Sequence, residues 1–113
     1  MKLLGMTVVV TGGASGMGKS MCHALAKEGA SIVVVDKNKD GADIVASELS
    51  ASGIKAISVK ADVQAREELE AMANVAFETF GNINVLVNNA GARVIKGFLD
   101  HTKVDWDMML GIN

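Results

Sequence analysis

Tyrosine and proline are absent from the 113 residues, and there are one cysteine, one tryptophan and three phenylalanines. A lone cysteine excludes an internal disulfide framework and any cysteine-rich zinc module, and no His/Asp/Glu spacing supports a metal site. Proline at its usual share of about 5% would give several residues, so its absence departs from ordinary composition. Positive charge is not in surplus: 11 Lys plus Arg stand against 13 Asp plus Glu, a formal net charge of -2. Such a chain has no bulk field for a nucleic-acid backbone. No apolar run approaches the roughly 20 residues that span a bilayer. Lys2-Leu3-Leu4 resembles a secretory start, but glycine and threonine interrupt it early. These features read as a cytoplasmic protein with neither nucleic acid nor membrane as partner. What the chain does have is 50% hydrophobic residues against 21% charged, which excludes a disordered tail. Its length allows one domain at most.

The apolar pattern alternates between two periods. Met6–Val10, Ser31–Val35, Ala56–Val59 and Ile83–Val87 read as strands, three of them nearly continuous in Val and Ile. Such strands suit a parallel sheet covered on both faces. Between them lie helical stripes: Met17, Met21 and Leu25 with Cys22; Ala42, Val45, Ala46 and Leu49; and Leu69, Met72, Ala73, Ala76, Phe77 and Phe80. Gly29, Gly53 and Gly81 stop them. Thr102 and Asp105 form a capping box before Trp106, Met109 and Leu110. The chain therefore reads as α/β, a Rossmann-like doubly wound parallel sheet that ends after the fourth strand and the start of the next helix. The longest irregular stretch, Asn88 to Lys103, follows the fourth strand, at the end of the sheet where such folds bind ligands.

Two phosphate-binding patterns overlap after the first strand, in Thr11-Gly12-Gly13-Ala14-Ser15-Gly16-Met17-Gly18-Lys19-Ser20. Read from Gly13 it is G-x-x-x-x-G-K-S, with Lys19 for the outer phosphates of a triphosphate and Ser20 for magnesium. Val34-Val35-Asp36 then passes for the second strand end of a nucleotide hydrolase or kinase. Read from Gly12 it is a dinucleotide loop. Gly12 makes the turn, Gly16 lets the backbone approach a pyrophosphate, and Gly18 lets the helix pack on the strand. Downstream residues favour the second reading. Asp36 lies 18 residues beyond Gly18, near the spacing of about 20 for a carboxylate on a ribose hydroxyl. Asp62 follows the third strand and Asn88-Asn89-Ala90-Gly91 the fourth. A strand order of 3-2-1-4 brings all four tips to one edge. The triphosphate reading leaves the Asn-Asn-Ala-Gly turn without a role.

These motifs resemble the N-terminal part of a short-chain dehydrogenase/reductase. Thr11 to Gly18 matches that family's T-G-x-x-x-G-x-G loop, Asn88 to Gly91 its N-N-A-G turn, and Asp62-Val63 the pair beside the adenine. Asn113 matches the first member of its Asn-Ser-Tyr-Lys catalytic set. The resemblance covers residues 1–113 as the dinucleotide-binding part of one Rossmann domain. It implies that Thr11 and Asn89 brace the glycine loop and fourth strand. It also implies that Gly12, Ser15, Gly16, Met17 and Gly18 serve the pyrophosphate, with Asp62 and Val63 on the adenine. Asn88, Asn89, Ala90 and Gly91 line the ribose side, and Asn113 holds a water for the catalytic lysine. The implied cofactor is NAD rather than NADP, because the Asp36 carboxylate accepts from a 2′-hydroxyl and repels a 2′-phosphate. Lys37 and Lys39 pull the other way.

The resemblance implies hydride transfer between NAD and an alcohol or carbonyl substrate, in a homodimer or homotetramer assembled through the helix starting near Lys103 and the helix after it. The serine, tyrosine and lysine of the catalytic set have no counterpart here. The chain reads as a fragment, inactive as a dehydrogenase by itself, with Ile83–Val87 as an exposed apolar edge. A non-catalytic dinucleotide-binding protein is the other surviving reading. The remaining singular residues have ordinary roles: Cys22 a buried thiol, His23 and His101 polar surface residues, Trp106 a packing or interface residue, Arg93 and Lys96 solvated.

Overall fold

A computed structural model describes residues 1–91 and 97–113. The chain runs β1 (Thr7–Thr11), α1 (Gly16–Lys27), β2 (Ser31–Asp36), α2 (Lys39–Ala51), β3 (Ala56–Lys60), α3 (Arg66–Phe80) and β4 (Val85–Val87). A 3-10 turn at Phe98–Asp100 and a last helix, α4 (Lys103–Ile112), complete it. The strands form one parallel sheet in the order β3-β2-β1-β4. This is the order and class the sequence predicts.

Strand period explains the two cores. Alternate side chains of β1 and β2 point to opposite faces. Val8, Val10, Ile32 and Val34 pack under α1 and α2 with Cys22, Ala26, Val45 and Leu49. Val9, Val33 and Val35 meet Met72 and Ala76 of α3 on the other face. Both central strands are thus covered twice, and an unbroken run of valines has no face to spare for water. Burying each valine stabilises the fold by about 1.5–3 kcal/mol before entropy is counted.

Several elements differ from the sequence reading. The first strand is displaced by one residue, because Thr11 pairs with Val35 in register. The fourth starts at Val85 rather than Ile83, since the Asn84 side-chain oxygen accepts from Thr7 N at 2.8 Å and takes that donor from the ladder. Val85 and Leu86 on this edge are exposed. In α1 the buried stripe is Gly18, Cys22 and Ala26, while Met17 is 74% exposed. Close approach at Gly18 turns the small-residue face of the helix to the sheet and its large methionine outward. Phe77 likewise lies on the flank of α3, which buries the Met72–Ala76 row instead. The caps follow the sequence. Gly81 ends α3 at φ +78°. In α4, Thr102 Oγ1 accepts from Asp105 N, and Asp105 Oδ2 accepts from Thr102 N.

Cys22 is fully buried, and desolvation pushes its thiol up to about 11, against a smaller opposing effect of a backbone hydrogen bond. The thiolate is the reactive form, and a free thiol titrates near 8.5. At pH 8 the native chain should therefore label with a thiol reagent more than about a hundredfold slower than the urea-unfolded chain. Equal rates by absorbance assay would contradict the buried placement.

Candidate functional site

At the C-terminal edge of the sheet, the loops after all four strands enclose a cleft of about 320 Å³. Gly12 and Ser15 line it from the loop after β1. Asp36 and Lys37 come from the end of β2, Ala61, Asp62 and Val63 from the loop after β3, and Asn89, Ala90 and Gly91 from the turn after β4. Val35 at the end of β2 and Ile112 of α4 complete the lining. Eight of the residues singled out in the sequence therefore share one cavity.

The others surround it. Thr11 and Asn89 join the first and fourth strand tips. Thr11 Oγ1 donates to Val87 O at 3.3 Å and accepts from Asn89 N and Ala90 N, each at 3.1 Å. Asn89 Nδ2 donates to Thr11 O and Gly12 O, each at 3.2 Å. Gly18 lies beneath this joint: a Cβ there would sit 2.1 Å from Gly12 O and 2.5 Å from Asn89 Nδ2. Gly12 is left-handed at φ +67°, and a Cβ on it would meet Asn89 Nδ2 at 2.9 Å. Only glycine fits either position. Gly16 differs, since its φ is +55° but a Cβ would meet nothing within 4 Å. Its hindrance is conformational, and the space above it is open.

That open space faces the start of α1. The N-cap residue Ser15 makes no side-chain cap hydrogen bond, and the first turn carries no acidic residue. The first-turn N–H groups and the positive end of the helix dipole together suit an anion. Asp36 is fixed by the loop it faces, with Oδ2 accepting from Ala14 N at 3.0 Å and Oδ1 from Asn38 N at 2.9 Å. A carboxylate has about four acceptor sites, so capacity remains for a ligand hydroxyl. Asp62 Oδ1 accepts from Gln64 N at 2.9 Å, and its Oδ2 lies 3.8 Å from Lys37 Nζ. Asn88 is exposed outside the cleft. Asn113 lies at the end of α4, its Oδ1 3.2 Å from where a Cβ on Gly91 would be. Arg93 and Lys96 lie outside the described residues.

A family pattern described as short chain dehydrogenase matches residues 6–113. The chain belongs to the short-chain dehydrogenase family. A 3beta-hydroxysteroid dehydrogenase 2 of Eggerthella lenta is 37% identical over 114 residues, which cover 98% of this chain and 43% of that protein. An uncharacterized oxidoreductase of Staphylococcus aureus is 34% identical over 105 residues, covering 93% of this chain and 45% of that protein. Among solved structures, a short chain dehydrogenase/reductase from Burkholderia phymatum, in complex with NAD, superposes with a TM-score of 0.95 at 28% identity. It covers 99% of this chain, which in turn covers 40% of it. The chain thus spans less than half the length of each of these relatives.

The geometry of this short-chain dehydrogenase chain does not support the triphosphate reading. Lys19 Nζ lies 3.5 Å from Glu48 Oε1 on α2, Glu48 Oε2 is 3.1 Å from His23 Nε2, and Ser20 is exposed. Lys39 is also turned away from the cleft, bonded to Asp43 and to Ser58 Oγ at 3.0 Å. The Asp43 carboxylate accepts from both Lys39 Nζ and Ser58 Oγ, and these bonds, Lys39 foremost, hold it below its usual range. Val35, Ala61 and Ile112 are cleft residues the sequence reading passed over. The first two sit beside Asp36 and Asp62 at strand ends, a usable signal. The position of Ile112 depends on where α4 docks, which no local pattern encodes. Among the described residues, no helix is long and apolar enough to cross a membrane, and no group of three His, Cys, Asp or Glu is placed to hold a metal.

Proposed function

We propose that this chain forms the NAD-binding part of an oxidoreductase that interconverts an alcohol and a carbonyl in a small-molecule substrate. The observation that carries the reading is the cleft: an uncapped helix start, a carboxylate at the end of β2 and a second carboxylate after β3 line up along one groove. That sequence of groups suits a pyrophosphate, a ribose and an adenine in turn. The backbone N–H groups of Ser15, Gly16 and Met17 would hold the phosphates, with Gly12 and Gly18 shaping the loop. Asp36 would accept from the ribose hydroxyl. Asp62 and the backbone of Val63 would meet the adenine, and Asn89 to Gly91 the second ribose. When bound, NAD supplies the hydride acceptor. Asn113 would orient a water for catalytic groups elsewhere in the active enzyme. Assembly of like copies as a dimer or tetramer, and a cytoplasmic location, belong to the same reading. Val104, Trp106 and Leu110 of α4, all exposed, support the assembly.

Calorimetric titration tests the cofactor assignment. The chain is expected to bind NAD and its fragment ADP-ribose, and to prefer NAD over NADP. Asp36→Ala should lower that preference at least about tenfold, because the carboxylate's repulsion of a 2′-phosphate is removed. An unchanged preference would sink the role given to Asp36. No measurable binding of either dinucleotide would sink the reading as a whole.

A further inference from the structure

We infer that Lys37 is a positioning residue that straps the adenosine end of the cleft through Asp62. The inference rests on the dinucleotide reading above. Lys37 follows Asp36 at the end of β2, and Asp62 stands in the loop after β3, so the two side chains come from opposite lips of one groove. Lys37 Nζ lies 3.8 Å from Asp62 Oδ2. The other Asp62 oxygen is already held by Gln64 N. One oxygen thus fixes the carboxylate and the second is offered across the groove. The two partners differ in freedom: the Lys37 side chain is 71% exposed and that of Asp62 26%. Asp62 is therefore the anchored partner, and Lys37 the more exposed arm that reaches it.

Neighbouring charges single out Lys37 for this work. Asp36 is turned to Ala14 N and Asn38 N, whereas the ion pair of Lys37 is with Asp62. Lys39 is committed to Asp43 and Ser58 on the outer side of α2 and β3. Among the described residues lining the cleft, the charged ones are Asp36, Lys37 and Asp62. A ligand with a pyrophosphate therefore approaches two carboxylates offset by one ammonium. Lys37 lowers that repulsion and at the same time ties the loop after β2 to the loop after β3. A partly exposed pair is worth little in global stability, so its effect belongs in ligand affinity and in its salt dependence.

Calorimetry on the full chain, with ADP-ribose as probe, decides the matter. In about 50 mM salt, Lys37→Ala should weaken binding about three- to fivefold, and Lys37→Arg should restore it. In about 1 M salt the wild type should fall to the level of Lys37→Ala, since screening removes what the variant has lost. The double variant Lys37→Ala/Asp62→Asn should bind no more weakly than Asp62→Asn alone. The strap is overturned if Lys37→Ala matches the wild type at low salt, if its deficit is equal at both salts, or if its effect adds fully to that of Asp62→Asn. Each of those results would leave the dinucleotide reading standing. A wild type that fails to bind ADP-ribose would remove both.

Discussion

Gly18→Ala is expected to abolish most dinucleotide binding, by about a hundredfold, and to destabilise the chain by about 2–3 kcal/mol, the range for overpacking a close contact. In an ordinary helix this change stabilises by about 0.8–1 kcal/mol, because alanine loses less backbone entropy than glycine. Here the new methyl would lie 2.1 Å from the Gly12 carbonyl oxygen and 2.5 Å from Asn89 Nδ2. Neither neighbour can yield cheaply. Gly12 is backbone, and Asn89 Nδ2 already bonds two carbonyls of the β1 tip. The helix start must move off the loop, and the N–H groups proposed to face the pyrophosphate move with it. Gly16→Ala is the useful comparison: the backbone is left-handed but the space is empty, so it should cost about 1 kcal/mol of conformational strain and no clash. Urea unfolding and ADP-ribose titration of both variants measure the two effects. A Gly18→Ala chain as stable as the parent would mean that α1 does not pack on the loop as described.

The parts of this molecule legible in its sequence are those fixed by local periodicity or by a backbone requirement. The valine runs Val8–Val10 and Ile32–Val35 can only be covered on both faces, so sheet class and central strands follow from composition alone. Gly12 and Gly18 announce the loop because no other residue fits. What local pattern could not reach was decided between elements. The helical period of α1 equally permits a stripe through Met17, Met21 and Leu25 or one through Gly18, Cys22 and Ala26. The depth of docking at Gly18 selects the second and sends Met17 to solvent. Phe77 stays exposed for a related reason, since α3 presents only its Met72–Ala76 row to the sheet. In the site, the carboxylates were readable from strand ends. The direction of the lysines was not: Lys37 and Lys39 stand two positions apart, yet one lines the cleft and the other is drawn to Ser58 and Asp43.

Thr11→Val should unfold the joint between the first and fourth strand tips while leaving every apolar contact nearly intact. Valine has the same shape as threonine and suits a strand at least as well, so neither packing nor propensity masks the result. What disappears is one hydroxyl that is fully employed. Its hydrogen goes to Val87 O, and its two lone pairs receive Asn89 N and Ala90 N. Thr11 is 4% exposed; of the two backbone donors, Asn89 N keeps a second acceptor in Val87 O at 3.1 Å, while Ala90 N loses its partner at a desolvation penalty of about 1–3 kcal/mol. Because the turn borders an open cleft, water will meet part of that demand, and the expected loss is about 1–3 kcal/mol in urea unfolding. ADP-ribose affinity should fall at least about tenfold, since Asn89, Ala90 and Gly91 line the cleft and depend on this anchor. Thr11→Ser separates the hydroxyl from the methyl: it should lose only about 1 kcal/mol, the worth of one buried methyl group, and keep most of the binding. If serine and valine variants were equally impaired, the anchor would be a matter of packing, and the hydrogen-bonded union of β1 and β4 would not be what holds the cleft open.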